Sequence, residues 1–307
     1  MKIVFLDAQT MGDINYDKLK ALGELTLYAY TKPHETLNRV KNADIVITNK
    51  VVIDKEIMDN SNIKLIQISA TGMNNVDLEY AKKKGIKVLN VAGYSTKSVI
   101  QHTFALVLGL INKICYFDTY TRKDYPKSEI FTHIQNWYEI DEKKWGIIGL
   151  GEIGKGTAKL ARAFGADVRY YSTSGKNRNE EFQRVSLQEL LKNSDIITIH
   201  APLNDKTHNL LNYDNLKLLK ENAVLVNVGR GGIINENDLV KILKEKNIYV
   251  GLDVFENEPC KNSELLHSKN TLLSPHVAWT SIEARNKLMD SIIANIEEFI
   301  RKLTKNK

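Results

Sequence analysis

The apolar run Trp145–Leu150 leads into Gly149-Leu150-Gly151-Glu152-Ile153-Gly154, and a helix-like stretch, Lys155–Phe164, follows at once. Few patterns restrict a chain more. The first glycine permits a tight turn, the second lets the backbone approach a pyrophosphate, and the third lets helix and strand pack closely. The N–H groups and dipole at the helix start then attract phosphate. A ligand-free turn can carry the same glycines, but a strand before and a helix after them mark a dinucleotide-binding fingerprint.

The rest of the chain agrees with such a fold. Strand-like runs occur at Ile3–Leu6, Leu25–Tyr30, Asp44–Thr48, Leu65–Ala70 and Val88–Val91, with helix-like stretches such as Pro33–Asn42 and Val76–Lys84 between them. Gly85 closes the latter as a helix C-terminal glycine. A second series runs through Trp145–Leu150, Asp167–Ser172, Asp195–His200, Ala223–Val228, Tyr249–Val254 and Thr271–Ser274. Alternating strand and helix signals predict an α/β chain of doubly wound, mostly parallel sheets with both faces covered. Between the two series the pattern predicts one helix, Lys97 to Arg122, and an irregular segment, Lys123 to Lys144. Cys115 falls in the apolar run Phe104–Phe117 and reads as a small core residue. The chain closes with a helix over Ser281–Leu303. Thr280 and Glu283 form a capping box, and Ile282, Met289, Ile292, Ile293, Ile296, Phe299, Ile300 and Leu303 form a stripe that must be buried.

Composition narrows the function classes. The 307 residues, 43% hydrophobic and 26% charged, suffice for two globular domains. Lys+Arg outnumber Asp+Glu by 43 to 37, a net +6, but the excess is scattered apart from Lys82-Lys83-Lys84 and the last residues. No basic stripe with interleaved aromatics is present, so nucleic acid is not an expected partner. The two cysteines, Cys115 and Cys260, lack metal-ligand spacing; we expect no metal site and a reducing, cytoplasmic setting. The start, Met1–Asp7, is too short in its apolar part for a signal peptide, and Phe104–Ile111 cannot span a bilayer, so no membrane partner is expected.

The end of the second cofactor-domain strand bears on coenzyme choice. An acid there would bond the adenine ribose hydroxyls of NAD. This chain has Ser172 instead, followed by Thr173, Ser174, Gly175, Lys176, Asn177 and Arg178. Hydroxyls and two cations can receive a 2′-phosphate, and no carboxylate repels it. The expectation is NAD(P)(H) with a lean to NADP(H); a solvated loop with NAD still bound is the alternative.

Three distant segments add chemistry at strand ends. Asn227-Val228-Gly229-Arg230 supplies a guanidinium, Asp253–Pro259 supplies Asp253, Glu256 and Glu258, and Ser274-Pro275-His276 supplies an imidazole. Open parallel sheets place ligands at the carboxyl ends of strands. Each residue alone has an ordinary reading: a surface cation, a solvated acid, a structural histidine. Together they suit a carboxylate-binding arginine and an acid–histidine proton donor. His102, on the long apolar helix, reads as structural.

With these motifs assembled, the chain resembles the D-isomer-specific 2-hydroxyacid dehydrogenases over essentially its whole length. The segments that carry the resemblance are Ala70–Asp77, Asn90–Ser95, the glycine fingerprint, His200–Leu203, Asn227–Gly231, Asp253–Pro259 and Ser274–Trp279. The wording of Thr71–Asp77 and Trp279 resembles the glycerate dehydrogenase (hydroxypyruvate reductase) branch. The resemblance implies a flavodoxin-like catalytic domain, residues 1–98 and 284–307, and a Rossmann domain, residues 99–283. It implies that Arg230 binds the substrate carboxylate and keto oxygen, that Glu258 pairs with His276, and that His276 exchanges the proton. It further implies that the Thr71-Gly72-Met73 backbone cradles the carboxylate and that Asp253 touches the nicotinamide amide. Gly149, Gly151, Glu152, Ile153, Gly154, Ser172, Thr173, Lys176, Pro202, Thr207, Val228, Gly229 and His276 would hold or line the coenzyme. The substrate would be a small 2-keto or 2-hydroxy acid, and the assembly a homodimer through the cofactor domain, with Trp137 placed to close over substrate or pack the dimer. D-lactate-type or phosphite dehydrogenation, or a non-catalytic dinucleotide-sensing corepressor-like role, are the alternatives on the same scaffold.

Overall fold

The computed structural model describes residues 1–176, 178–261 and 263–305. It divides into two compact units, Met1–Ser95 with Thr280–Lys307, and Thr96–Trp279. Each crossover falls three or four residues before the point that the family resemblance implies.

The first unit is a parallel five-stranded sheet of β1 (Lys2–Phe5), β2 (Glu24–Leu27), β3 (Ile45–Thr48), β4 (Leu65–Ile68) and β5 (Lys87–Leu89), in the order β2-β1-β3-β4-β5. Every residue of β3 and β4 is buried, as central strands covered on both faces require. The helix Ile282–Lys305 belongs to this unit. It buries Ala284, Leu288, Met289, Ile292, Ile293 and Ile296, and Asn295 Nδ2 donates to Gln67 Oε1 of β4 at 3.0 Å. Each fully buried aliphatic side chain there contributes roughly 1.5–3 kcal/mol. Two expectations need correction. Ser281, not Thr280, caps the helix, its Oγ accepting the Ala284 N–H at 3.1 Å. Ile282 lies off the buried stripe and is 63% exposed.

The second unit holds a parallel seven-stranded sheet of β6 (Lys144–Ile148), β7 (Asp167–Tyr171), β8 (Gln183–Arg184), β9 (Ile196–Ile199), β10 (Val224–Asn227), β11 (Tyr249–Leu252) and β12 (Thr271–Leu273). Its order, β12-β11-β10-β9-β6-β7-β8, reverses direction between β6 and β9. That reversal opens a crevice at the carboxyl ends of the strands, where doubly wound sheets bind their ligands.

The single helix expected over Lys97 to Arg122 is two helices, Thr96–Ile111 and Ile114–Lys123, bent by 55°. Lys113 takes the left-handed conformation at the break, with φ of 52°. The first helix buries Val99, Phe104, Leu106, Val107, Leu110 and Ile111, whereas the second buries nothing. Cys115 is therefore exposed rather than in the core. The second helix instead stacks its tyrosines on His133, with Tyr120 and His133 ring centroids 3.9 Å apart. Among the described residues no single helix is long and apolar enough to cross a membrane.

Candidate active site

The fingerprint sits at the reversal of the sheet. A side chain at Gly149, where φ is +91°, would meet the Ala201 backbone nitrogen at 2.8 Å, so β6 and the loop after β9 touch there. One at Gly154 would come within 2.2 Å of the Gly149 carbonyl, which locks the helix Glu152–Ala163 against the turn. Nothing lies within 4 Å of the corresponding point at Gly151. Two glycines are thus needed for close backbone approach, and the middle one faces open space beside a helix start. This is the room a pyrophosphate takes, and the first helical N–H groups have no intrahelical acceptors. Glu152, next in line, turns to Lys155 Nζ at 3.2 Å on the surface, and Ile153 is half-buried.

The segment after β7 makes a turn in which Gly175 N–H donates to Ser172 O at 3.1 Å. Ser172 is buried and its Oγ finds no partner among the described residues. Thr173 is half-buried and Lys176 exposed beside it, while Asn177 lies outside the described residues. Arg184, which sequence reading did not single out, donates through Nη1 to Gly175 O at 3.0 Å and adds a cation to this turn. Its signal was hidden because β8, a two-residue strand, has no apolar run to reveal it.

Beyond β9, Pro202 is exposed, but Thr207 is fully buried. The Thr207 hydroxyl donates to Pro202 O at 2.7 Å and accepts the Asn204 N–H at 2.8 Å. Its hydroxyl closes this loop from inside. His200 lies next to this loop, with Nε2 3.0 Å from Thr198 Oγ1 and a buried Nδ1 that has no partner among the described residues. Burial pushes its pKa down to about 3. The unfolded chain takes up this proton near 6.5. Between those values acid therefore favours the unfolded state, and stability falls as pH falls. At full effect His200 contributes a slope of about 1.4 kcal/mol per pH unit. His200→Gln is expected to flatten the acid side of a urea-midpoint titration relative to wild type; parallel curves would show that His200 is protonated in the folded protein.

The three chemical segments leave adjacent strands in register, Asn227 opposite Leu252 and Leu252 opposite Leu273. The turn after β10 is set by Asn227, whose Oδ1 accepts the Gly229 N–H at 3.0 Å and whose Nδ2 donates to Arg230 O at 2.9 Å. Val228 is buried, and Gly229 is half-buried on this turn. Arg230 Nη1 donates to Gly229 O at 2.8 Å. A side chain at Gly231 would overlap Phe255 O at 1.8 Å, so the arginine turn is pressed against the loop that carries Glu258. In that loop Phe255 N–H donates to Glu258 Oε1 at 3.2 Å. Glu236, also missed by sequence reading, accepts the Glu256 N–H at 2.5 Å, and burial pushes its pKa up.

His276 Nδ1 lies 2.9 and 2.8 Å from the two Glu258 oxygens, with both side chains about a quarter exposed, at 24% and 26%. The carboxylate can only accept, so Nδ1 carries a proton and Nε2 is left for exchange with a substrate. His276 takes φ of +56°, which β-carbon-bearing residues adopt at a cost.

Asp253 is fully buried, and its carboxylate accepts Ser274 Oγ–H at 2.6 Å, Val277 N–H at 2.8 Å and Ala278 N–H at 2.9 Å. It anchors the histidine loop.

In the first unit, the loop after β4 is tied at both ends. Thr71 Oγ1 donates to Val91 O at 3.0 Å, Asn90 Nδ2 donates to Thr71 O at 2.7 Å, and Val76 N–H donates to Met73 O at 3.1 Å. Gly72 and Met73 are half-buried within it.

Known proteins match this arrangement. Residues 104–278 match the family described as D-isomer specific 2-hydroxyacid dehydrogenase, NAD binding domain. A hydroxypyruvate reductase of Blautia hydrogenotrophica is 37% identical over 98% of this chain and 97% of its own length. A glyoxylate reductase of Thermococcus litoralis is 37% identical over 86% of this chain and 83% of its own. Among solved structures, an acyclic imino acid reductase in complex with NADPH and D-Arg superposes with a TM-score of 0.87 at 32% identity, covering 98% of both chains. The fold, the glycine cradle and these likenesses agree: the chain belongs to the D-isomer-specific 2-hydroxyacid dehydrogenase family of oxidoreductases.

Proposed function

We propose that this enzyme reduces a small 2-keto acid, hydroxypyruvate or glyoxylate, to the corresponding 2-hydroxy acid, with NADPH as the favoured coenzyme. The Glu258–His276 pair, on loops from adjacent parallel strands beside the Arg230 turn, carries this reading. The names of the hydroxypyruvate and glyoxylate reductases among the relatives support the substrate class.

Gly149, Gly151, Gly154 and the start of helix Glu152–Ala163 would hold the coenzyme's pyrophosphate. When bound, a reduced nicotinamide would be the hydride source for C2 of the keto acid. As negative charge grows on the keto oxygen, His276 Nε2 delivers a proton to it and Arg230 stabilises the charge while gripping the carboxylate. Glu258 holds the ring in the tautomer that makes this possible and stabilises the imidazolium. To Thr71, Gly72 and Met73 we assign the backbone contacts to a substrate carboxylate that the resemblance implies.

Removing the Glu258 charge tests its part. Glu258→Gln is expected to lower kcat by about 10²-fold or more. A kcat within about twofold of wild type would break the pairing.

The buried Ser172 hydroxyl without a partner, together with Lys176, Arg178 and Arg184 about its turn, supports a 2′-phosphate. The test is a panel of glyoxylate, hydroxypyruvate and pyruvate, each with NADPH and NADH. We expect kcat/KM to favour NADPH by about tenfold or more. A preference for NADH would overturn the coenzyme reading, and turnover of none of the acids would overturn the substrate reading.

We also propose a homodimer through the cofactor domain. Support comes from the apolar run Ile130, Phe131, Ile134 and Trp137, of which Phe131 is 89% and Ile134 80% exposed. A monomer mass in light scattering would rule it out.

A further inference from the structure

His102 stands on the first turns of helix Thr96–Ile111, and its Nε2 is 2.8 Å from Ser274 Oγ and 3.5 Å from Asp253 Oδ1. Protons can be assigned here by counting. The 2.6 Å contact between Ser274 Oγ and Asp253 Oδ1 needs a proton, and the serine hydroxyl has the one available. The serine oxygen then has only lone pairs to offer His102. Nε2 of His102 must therefore carry hydrogen and donate, since a bare Nε2 would face two oxygens with no proton between them.

The chain of donors continues to the catalytic loop. Asp253 accepts the N–H groups of Val277 and Ala278 with its carboxylate, and its own carbonyl accepts the His276 N–H at 2.7 Å. Three successive amides, 276 to 278, thus close on one residue. From the same helix as His102, Ser98 Oγ donates to Ala278 O at 2.6 Å. These bonds surround the backbone that keeps His276 at φ of +56°. Without them nothing obvious offsets the cost of the left-handed conformation, and the ring would leave Glu258.

We infer that His102 is a positioning residue for His276, acting through Ser274 and Asp253 to fix the loop that presents the proton donor. This rests on the assignment of His276 as the acid. An error of about 1 Å in placing a catalytic group costs on the order of 10²-fold in rate.

The experiment compares His102→Leu, His102→Gln, Ser274→Ala and the double variant His102→Leu/Ser274→Ala, with His276→Ala in parallel. kcat for keto-acid reduction, coenzyme KM and the thermal midpoint are read for each. We expect His102→Leu and Ser274→Ala to lower kcat by about 10–100-fold with little change in coenzyme KM. His102→Gln should recover most of the rate, because the glutamine Nε2 can donate from a similar reach. The double variant should be no slower than the slower single one, since both cut the same chain. The inference is overturned if His102→Leu stays within about twofold of wild type, if glutamine rescues no better than leucine, or if the two losses multiply. Should His102→Leu fail to fold, Ser274→Ala decides by the same kcat and KM readings. If His276→Ala keeps wild-type kcat, the acid assignment falls and this inference with it. If it loses its rate while the His102 and Ser274 variants keep theirs, this inference alone falls.

Discussion

His276→Ala is expected to lower kcat for keto-acid reduction by about 10²–10⁴-fold while leaving coenzyme KM nearly unchanged. The reasoning is geometric. Glu258 occupies Nδ1 from both carboxylate oxygens, so the proton that reaches the substrate must leave from Nε2. Alanine removes that donor and leaves the oxygen to collect a proton from water. The glycine cradle lies at the junction of β6 and β9, whereas His276 follows β12 at the far edge of the same sheet, so the grip on the coenzyme's pyrophosphate survives the loss. Steady-state kinetics with saturating coenzyme measure the effect. A fall of less than about tenfold would remove His276 from the proton step.

The second large effect belongs to Arg230. Its turn is tied by Asn227 and pressed against Phe255, so the guanidinium starts from a fixed base. Losing a preorganised donor to a developing oxyanion costs about 10²–10³-fold in kcat. A lost bidentate grip on a carboxylate raises KM as well. Arg230→Ala should therefore change both constants for the keto acid. Arg230→Lys should recover little, because an ammonium lacks the planar fork. A rise in KM with kcat intact would make Arg230 an anchor only.

Much of this site can be read from the sequence because strand ends announce themselves. β9 and β10 are buried in every residue, so their apolar runs stop abruptly where His200–Leu203 and Asn227–Arg230 begin. The glycines at 149 and 154 are set by backbone contacts that no other residue can make. The failures have equally physical causes. Apolar letters continue past Ile111 into Ile114, Tyr116 and Phe117, and nothing local says that this second stretch lacks a core to cover. The bonds that bury Asp253 and Thr207 are not legible, because they join partners up to 25 residues away. His102 is 172 residues from Ser274 in sequence, and only the fold joins them.

The unit that opens the chain is completed by the helix that ends it. During synthesis, β4 must therefore wait with one apolar flank uncovered until the last residues emerge, while the inserted unit can already be finished. Ribosome-bound chains halted before Ile282 should resist protease across residues 96–279 and be cut within the first 95, and premature stop codons near the end should produce aggregates rather than a merely weakened enzyme.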